Sequence, residues 1–332
     1  APLSRDSNGS IGARDNMSLL PLAILPTAKS TLPATRAMPY GEYAGVPWLI
    51  RQYAITQLPS VNALAVLRRL PAARADRTPF IGFGDPQFGK TQVAASSARK
   101  LRNLAMDRRS IPVTNAASSA PAAASDAVWM DYGAIPPLPD TREEVLSLAA
   151  TLQADPTKDV FLGADASKAN VQRVDLSKRR IVAFATHGLL PGDFPGVSEP
   201  SLALANPHDG KHGLLTLTDI LNLKLDADWV VLSACNTAAG DGSGADAVSG
   251  LGRGFFYAGT RALLVTHWSV ESVSARLLVT GVFDRQAKDA ALSRAEALRQ
   301  SMLSLMQQNS GSFAYAHPLF WAPYALVGDG GK

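Results

Sequence analysis

The chain has 332 residues, of which 46% are hydrophobic and 18% are charged, and its formal net charge is +4. This composition supports a sizeable buried core and excludes an intrinsically disordered protein. Because Cys235 is the only cysteine, a disulfide scaffold and a multi-cysteine metal site are excluded as well. The sequence holds no apolar run of about 18 residues, so we expect no membrane span.

The first 135 residues fall into three segments of different character. Residues 1–39 are polar and interrupted by Pro and Gly, which predicts a mobile N-terminal segment. Residues 40–104 carry apolar periodic stretches, and residues 105–135 form an Ala/Ser-rich stretch that predicts a flexible linker. Within the second segment the pattern predicts a strand at 47–55, a helix at 61–70 and a buried strand at 79–83.

From residue 136 to residue 330 the chain alternates regularly between helices and strands. Thr141 followed by Glu144 has the spacing of a capping box, which predicts that a helix begins there. Short apolar runs predict strands at 160–163, 181–185, 229–233, 262–266 and 324–328, and helices are predicted at 246–258, 271–286 and 289–308. Strands of nearly continuous Val, Ile, Leu and Ala between helices predict an α/β fold with a mostly parallel sheet covered on both faces.

Two of these strands end in side chains that can react. His187 and Gly188 follow the strand at 181–185, and Cys235 follows the strand at 229–233. Parallel sheets place their sites at the carboxyl ends of the strands, and an imidazole beside a thiol is the minimum set for nucleophilic catalysis. The N–H group of Gly188 is available for an oxyanion. The alternative is that the cysteine is a small buried hydrophobic residue and the histidine is structural.

The sequence around these residues resembles a known family. The motifs are VAFATHG at 182–188, VVLSACNTAAG at 230–240, GLGRGFFYAGTRALLVTHWSV at 250–270 and HPLFWAPYALVG at 317–328. Together they are similar to the CHAT family of caspase-like cysteine peptidases, over roughly residues 40–328.

The resemblance implies a caspase-like three-layer sandwich and a peptidase mechanism. Cys235 would be the nucleophile, His187 the general acid/base, and the N–H groups of Gly188 and Cys235 the oxyanion hole. The reaction would be hydrolysis of a peptide bond in a protein or peptide substrate through an acyl-enzyme, with no cofactor and no metal. Residues 136–330 would be the catalytic part, and residues 40–104 would supply the first strands and helices of the same domain.

Two further residues follow from the resemblance as candidate substrate-binding residues. In caspase-like enzymes the side chain two positions before the nucleophile lines the primary pocket, and here that residue is Ser233. Because a buried cationic side chain needs a paired charge, the serine favours a neutral or apolar residue before the scissile bond. The alternative is that another carboxylate reaches into the pocket, from Asp193, Asp241, Asp246 or Glu271. Trp268 would wall a substrate subsite. Many CHAT domains follow helical repeats, so a regulatory protein or an upstream repeat domain is an expected partner.

Residues 84–91 carry the letters of a nucleotide-binding P-loop, G-x4-G-K-[ST], directly after a predicted strand. Pro86 removes one of the backbone N–H groups that such a loop uses to bind phosphate. Nucleotide binding is therefore a third hypothesis, behind a peptidase and behind a non-catalytic caspase-like interaction module with an idle cysteine.

Other charged clusters have plainer explanations. His208 and His212 are four residues apart in a predicted loop, where they share no helical face, so we expect no metal site there. Residues 68–109 hold ten Arg or Lys against three Asp. Aromatic residues do not interleave with these charges as a base-stacking surface requires, so we expect a solvated basic face rather than nucleic-acid binding.

Overall fold

A computed structural model of the chain describes residues 4–5, 11–12, 21–32, 38–58, 60, 62–89, 135–193, 197–206, 213–233, 245–268 and 270–331. The strands are β1 (Ser4–Arg5), β2 (Ile11–Gly12), β3 (Thr78–Pro86), β4 (Val160–Gly163), β5 (Arg179–Ala185), β6 (His187–Leu189), β7 (Ser201–Ala203), β8 (Leu214–Thr216), β9 (Trp229–Leu232), β10 (Ala262–Thr266) and β11 (Tyr324–Gly328). The helices are α1 (Ala63–Leu67), α2 (Asp140–Thr151), α3 (Pro156–Asp159), α4 (Lys168–Arg173), α5 (Leu217–Leu221), α6 (Ala245–Ala258), α7 (Ser272–Lys288), α8 (Arg294–Met306) and α9 (Pro318–Trp321).

Six strands form the central sheet in the order β11-β10-β9-β5-β3-β4. All neighbours are parallel except β10 and β11, which are antiparallel. β6, β7 and β8 form a small antiparallel sheet that directly follows β5 in the chain. Helices cover both faces of the central sheet, so the predicted α/β fold with a mostly parallel sheet is confirmed.

The two faces of the sheet are buried in two separate apolar clusters. Trp229 and Val231 of β9 pack with residues of α2, α7 and α8, on what we call the α7 face. Val230 and Leu232 pack with residues of α4, α5 and α6, on the α6 face. This alternation is why the strands are apolar at nearly every position, since each side chain finds a covered surface whichever way it points.

One predicted strand and one predicted helix cap are wrong. Residues 47–55 form no strand; Leu49–Arg51 is a 3-10 helix, and the guanidinium of Arg51 donates to the carbonyls of Val46 and Ala44, which closes the chain into a turn. The helix predicted from the capping box is confirmed as α2, which begins at Asp140, but Thr141 does not cap it. Its hydroxyl instead accepts a hydrogen bond from the N–H of Asp85 in β3, as described below.

Most of the predicted flexible linker, residues 105–134, lies outside the described residues. Of the described helices, none is both long and apolar enough to cross a membrane.

Candidate active site

The site lies where β5 and β9 end side by side. The two strands pair in parallel from Ile181 with Trp229 to Phe184 with Leu232. Ser233 extends the ladder, because its N–H donates to the carbonyl of Phe184 at 3.0 Å. His187 therefore follows β5 at the same edge of the sheet where β9 ends, and the segment that carries Cys235 follows β9 in the sequence. Cys235 itself lies outside the described residues.

The ring of His187 is held by a backbone carbonyl. Its Nε2 lies 2.8 Å from the carbonyl oxygen of Pro136, and its ring centroid lies 5.8 Å from that of Phe88. A carbonyl only accepts hydrogen bonds, so Nε2 carries the proton. In the neutral ring, Nδ1 is then the basic nitrogen. This arrangement orients the imidazole and selects its tautomer, as a carboxylate does in other nucleophile–histidine pairs.

The segment that presents Pro136 is fixed to the sheet by the first turn of α2. The N–H of Asp85, at the end of β3, donates to the hydroxyl of Thr141 at 2.7 Å, and that hydroxyl donates to the carbonyl of Leu138 at 2.7 Å. Asp85 has a positive φ of 47° and pairs with Arg142 at 2.8 Å. Burial raises the pKa of the Asp85 carboxyl, although Arg142 opposes the shift.

A second link joins α2 to the start of α7. The hydroxyl of Ser272 donates to the carboxylate of Asp140 at 2.7 Å. The side chain of Glu271 accepts hydrogen bonds from the backbone N–H groups of Val273 and Ser274, and so caps α7. The beginnings of both helices are thereby tied together beside the carboxyl edge of the sheet.

The two predicted substrate-binding residues are placed near this edge. The hydroxyl of Ser233 lies 3.1 Å from that of Tyr324, and both residues are buried. The half-buried Trp268 packs against the cluster on the α7 face, and its indole N–H donates to the carbonyl of Leu319 at 3.4 Å. Gly188 lies in β6 opposite Leu202 of β7.

Two other histidines, His267 and His317, lie in the described part of the chain. His317 caps α9, because its Nδ1 accepts a hydrogen bond from the N–H of Leu319 at 3.0 Å. His267 directly follows β10 and is only 4% exposed. Neither of its ring nitrogens has a hydrogen-bond partner in the described part of the chain. Burial lowers its pKa to about 4, so the ring is neutral at neutral pH.

The described part of the P-loop motif does not form a phosphate cradle. Residues 84–86 belong to β3. The N–H of Asp85 is used by Thr141, and the N–H of Gln87 donates to the carbonyl of Gly163 at 3.1 Å. Lys90 and Thr91 lie outside the described residues, as do His208 and His212.

Part of the basic segment is neutralised by ion pairs. Arg74 pairs with Asp76 at 2.8 Å, and Arg77 pairs with Asp228 at 3.0 Å. Over the described ranges, no three His, Cys, Asp or Glu side chains converge as a metal site would require.

The sequence argument missed two contributors to the site. The carbonyl of Pro136 has no side-chain signature, and only the three-dimensional contact with His187 reveals it. The sequence pattern predicts Tyr324 only as part of a buried strand, although a hydroxyl on the first residue of an otherwise apolar strand is an available signal.

Comparison with known proteins agrees with the resemblance of the motifs. A family model described as "CHAT domain" matches residues 3–329. A 116-residue stretch is 31% identical to mouse (Mus musculus) tetratricopeptide repeat protein 28, covering 35% of this chain and 4% of that protein. Among solved structures, a chain of the Saccharomyces cerevisiae separase–securin complex aligns with 84% of this chain at a TM-score of 0.43 and 11% identity, over 14% of its own length. The chain thus spans only a small part of these relatives.

Proposed function

Because the chain belongs to the CHAT domain family, a family of caspase-like fold, we propose that it is a cysteine endopeptidase in which Cys235 is the nucleophile and His187 the general acid/base. The observation that carries the proposal is the hydrogen bond from His187 Nε2 to the carbonyl of Pro136. It prepares the ring for proton transfer through Nδ1, at the edge of the sheet where β9 ends.

Chain geometry supports the pairing of the two residues. Cys235 is two residues beyond Ser233, and two peptide units span at most about 7 Å. Ser233 is itself hydrogen-bonded to β5, three residues before His187. This short tether allows the thiol to reach the imidazole, which is the requirement for activating a cysteine nucleophile.

In the proposed reaction, Nδ1 of His187 takes the proton of the Cys235 thiol, and the sulfur attacks the carbonyl carbon of the scissile peptide bond. The imidazolium then protonates the leaving amine as the C–N bond breaks, which leaves a thioester on the cysteine. Water, deprotonated by the same ring, hydrolyses the thioester and restores the thiol. The carbonyl of Pro136 accepts a hydrogen bond throughout and stabilises the positive ring. No cofactor takes part.

The remaining sites of the proposal concern the substrate. The N–H groups of Gly188 and Cys235 would stabilise the oxyanion. Ser233 would line the primary pocket and Trp268 a neighbouring subsite. Ser233 provides no carboxylate, so the residue before the scissile bond is neutral or apolar.

The domain organisation belongs to the same proposal. Residues 136–330 form its catalytic part, and residues 40–104 contribute β3, which lies between β4 and β5 in the sheet. We infer regulation by a partner protein or an upstream repeat domain. The support for it is the similarity to a stretch of a protein named for its tetratricopeptide repeats.

The test combines a fluorogenic peptide library with thiol alkylation. Since Cys235 is the only cysteine, iodoacetamide reports on this thiol alone. We expect Cys235-dependent cleavage that Cys235→Ala abolishes, and alkylation at pH 7 that His187→Ala slows. His317→Asn, which keeps the cap of α9, is the matched control and should change neither.

The outcomes separate the functional classes. Absence of cleavage together with slow alkylation, unaffected by His187→Ala, would contradict the proposal and favour the non-catalytic interaction module. Cleavage that is retained in Cys235→Ala would exclude the proposed nucleophile. Loss of cleavage in Lys90→Ala, with cleavage kept in Cys235→Ala and His187→Ala, would favour the nucleotide-binding hypothesis.

A further inference from the structure

Two hydroxyl groups meet beside the candidate active site. Tyr324 begins β11 and is paired with Thr266 of β10. Its phenol extends past β10 and lies 3.1 Å from the hydroxyl of Ser233, which follows β9. Tyr324 is 1% exposed and Ser233 is 8% exposed. A tyrosine hydroxyl when buried needs a partner, and here a strand end two positions away in the sheet supplies it.

The pair lies on the same face of the sheet as the ring of His187. Trp229 and Val231 belong to the cluster on the α7 face, and Ser233 is the next residue in this alternation. Tyr324 belongs to the same cluster. The segment that binds His187 leads into α2, which covers the same face. Cys235 is two residues beyond Ser233 in the chain. A substrate side chain held at the proposed nucleophile and entering this face would therefore meet the hydroxyl pair.

The pair limits both the depth and the polarity of such a pocket. The next residues on this face of β10 and β11 are Leu264 and Leu326, which are paired with each other and buried in the same cluster. The space behind the phenol is therefore filled by the core. The two hydroxyls are uncharged, so the pair itself offers no counter-charge to a charged side chain buried against it, and burial without a counter-charge is unfavourable.

We propose that Tyr324 is a specificity-determining residue that makes the primary pocket short and uncharged, so that the chain cleaves after Gly, Ala or Ser. This inference rests on the proposed peptidase function and goes beyond it, because it assigns the depth of the pocket to a residue outside the catalytic segments.

The test is a set of quenched peptides that differ only in the residue before the scissile bond. For the wild type we expect kcat/KM at least about tenfold higher for Ala or Ser than for Leu or Phe, which is the range that one or two misfitting methylenes cause. Tyr324→Leu replaces the phenol by a shorter side chain and so deepens the pocket. It should raise kcat/KM for the Leu peptide at least about tenfold relative to the Ala peptide. Tyr324→Phe keeps the depth and should reduce only the preference for Ser over Ala.

Tyr315→Phe is the matched control, because Tyr315 is a buried tyrosine of the same core cluster that packs edge-on against Phe313 and Phe320. Its profile should equal that of the wild type. A wild-type preference for long or charged residues would overturn the inference. Cys235-dependent cleavage with the wild-type profile in both Tyr324 variants would overturn it as well.

If Tyr324→Leu does not fold, the wild-type profile and Tyr324→Phe still decide the question. Failure of the proposed function has a different signature. In that case no peptide of the set is cleaved in a manner that depends on Cys235, and the inference falls with it.

Discussion

Replacement of His267 by leucine is expected to reduce the acid sensitivity of the fold. His267 is 4% exposed, and neither nitrogen of its ring has a hydrogen-bond partner in the described part of the chain. Its pKa is about 4, against an ordinary value of 6.5, and burial is the cause. In the unfolded chain the ring is solvated and takes up a proton near pH 6.5. The folded state thus resists a protonation that the unfolded state accepts.

The sign and the size of the effect follow from this difference. Above pH 6.5 both states are neutral and His267 exerts no pH effect. As the pH falls from 6.5 towards 4, the unfolded state binds more protons, so the free energy of unfolding decreases by about 1.4 kcal/mol per unit. Between pH 7 and pH 4.5 the loss is about 2.5 kcal/mol, and below pH 4 it levels off.

Urea unfolding at pH 7 and pH 4.5 measures this loss directly. The wild type should lose about 2.5 kcal/mol more over this interval than His267→Leu, because every other titrating group is common to both proteins. His267→Asn is the control: it is polar but does not titrate, so it should share the shallow pH dependence of the leucine variant while being less stable at both pH values. Equal losses in all three proteins would refute the reasoning, since they would show that His267 is not held neutral by burial.

Two further pairs of variants test the packing and the ion pairs. Gly82→Ala should lower the free energy of unfolding by about 2 kcal/mol, because a Cβ there would lie 2.5 Å from a valine side chain of α2; Gly45→Ala, where no atom lies within 4 Å, should not, and equal effects in denaturant titrations would contradict this. Arg77→Met should cost about 3 kcal/mol, because the side chain is 7% exposed and the loss of its guanidinium leaves Asp228 with less compensation. The exposed Arg74 can be replaced by alanine without a measurable change in thermal stability, and a comparable loss in both variants would refute the distinction.

Much of the sheet could be predicted because its strands are short apolar runs with polar ends. Residues 160–163, 262–266 and 324–328 match β4, β10 and β11 residue for residue. Burial on both faces makes such runs unambiguous. The pattern does not carry the direction of β11, since an antiparallel edge strand buried on both faces has the same composition as its parallel neighbours.

Where the sequence argument failed, a long-range contact replaced a local one. The capping box at Thr141 is sound by spacing, but the hydroxyl binds the N–H of Asp85, which is 56 residues away in the chain. The apolar residues at 47–55 satisfy a strand pattern, but Ile50 packs on the α7 face while Arg51 binds carbonyls of its own turn. Local patterns cannot include partners that are distant in the chain, so these positions needed the structure.

The same distinction applies to the candidate site. His187 could be selected from its place after a buried strand, but the group that fixes its tautomer is a backbone carbonyl, which any residue possesses. That carbonyl is held in place by α2, and α2 is held by Asp85 from β3 and by Ser272 from α7. The orientation of the proposed base thus depends on packing between three elements rather than on one neighbouring side chain. A substitution that loosens this junction, such as Ser272→Ala, is therefore expected to lower both the rate of alkylation at Cys235 and the free energy of unfolding. An equally destabilising change elsewhere in the fold should lower the free energy of unfolding alone. Gly82→Ala does not serve as that control, because it also moves α2.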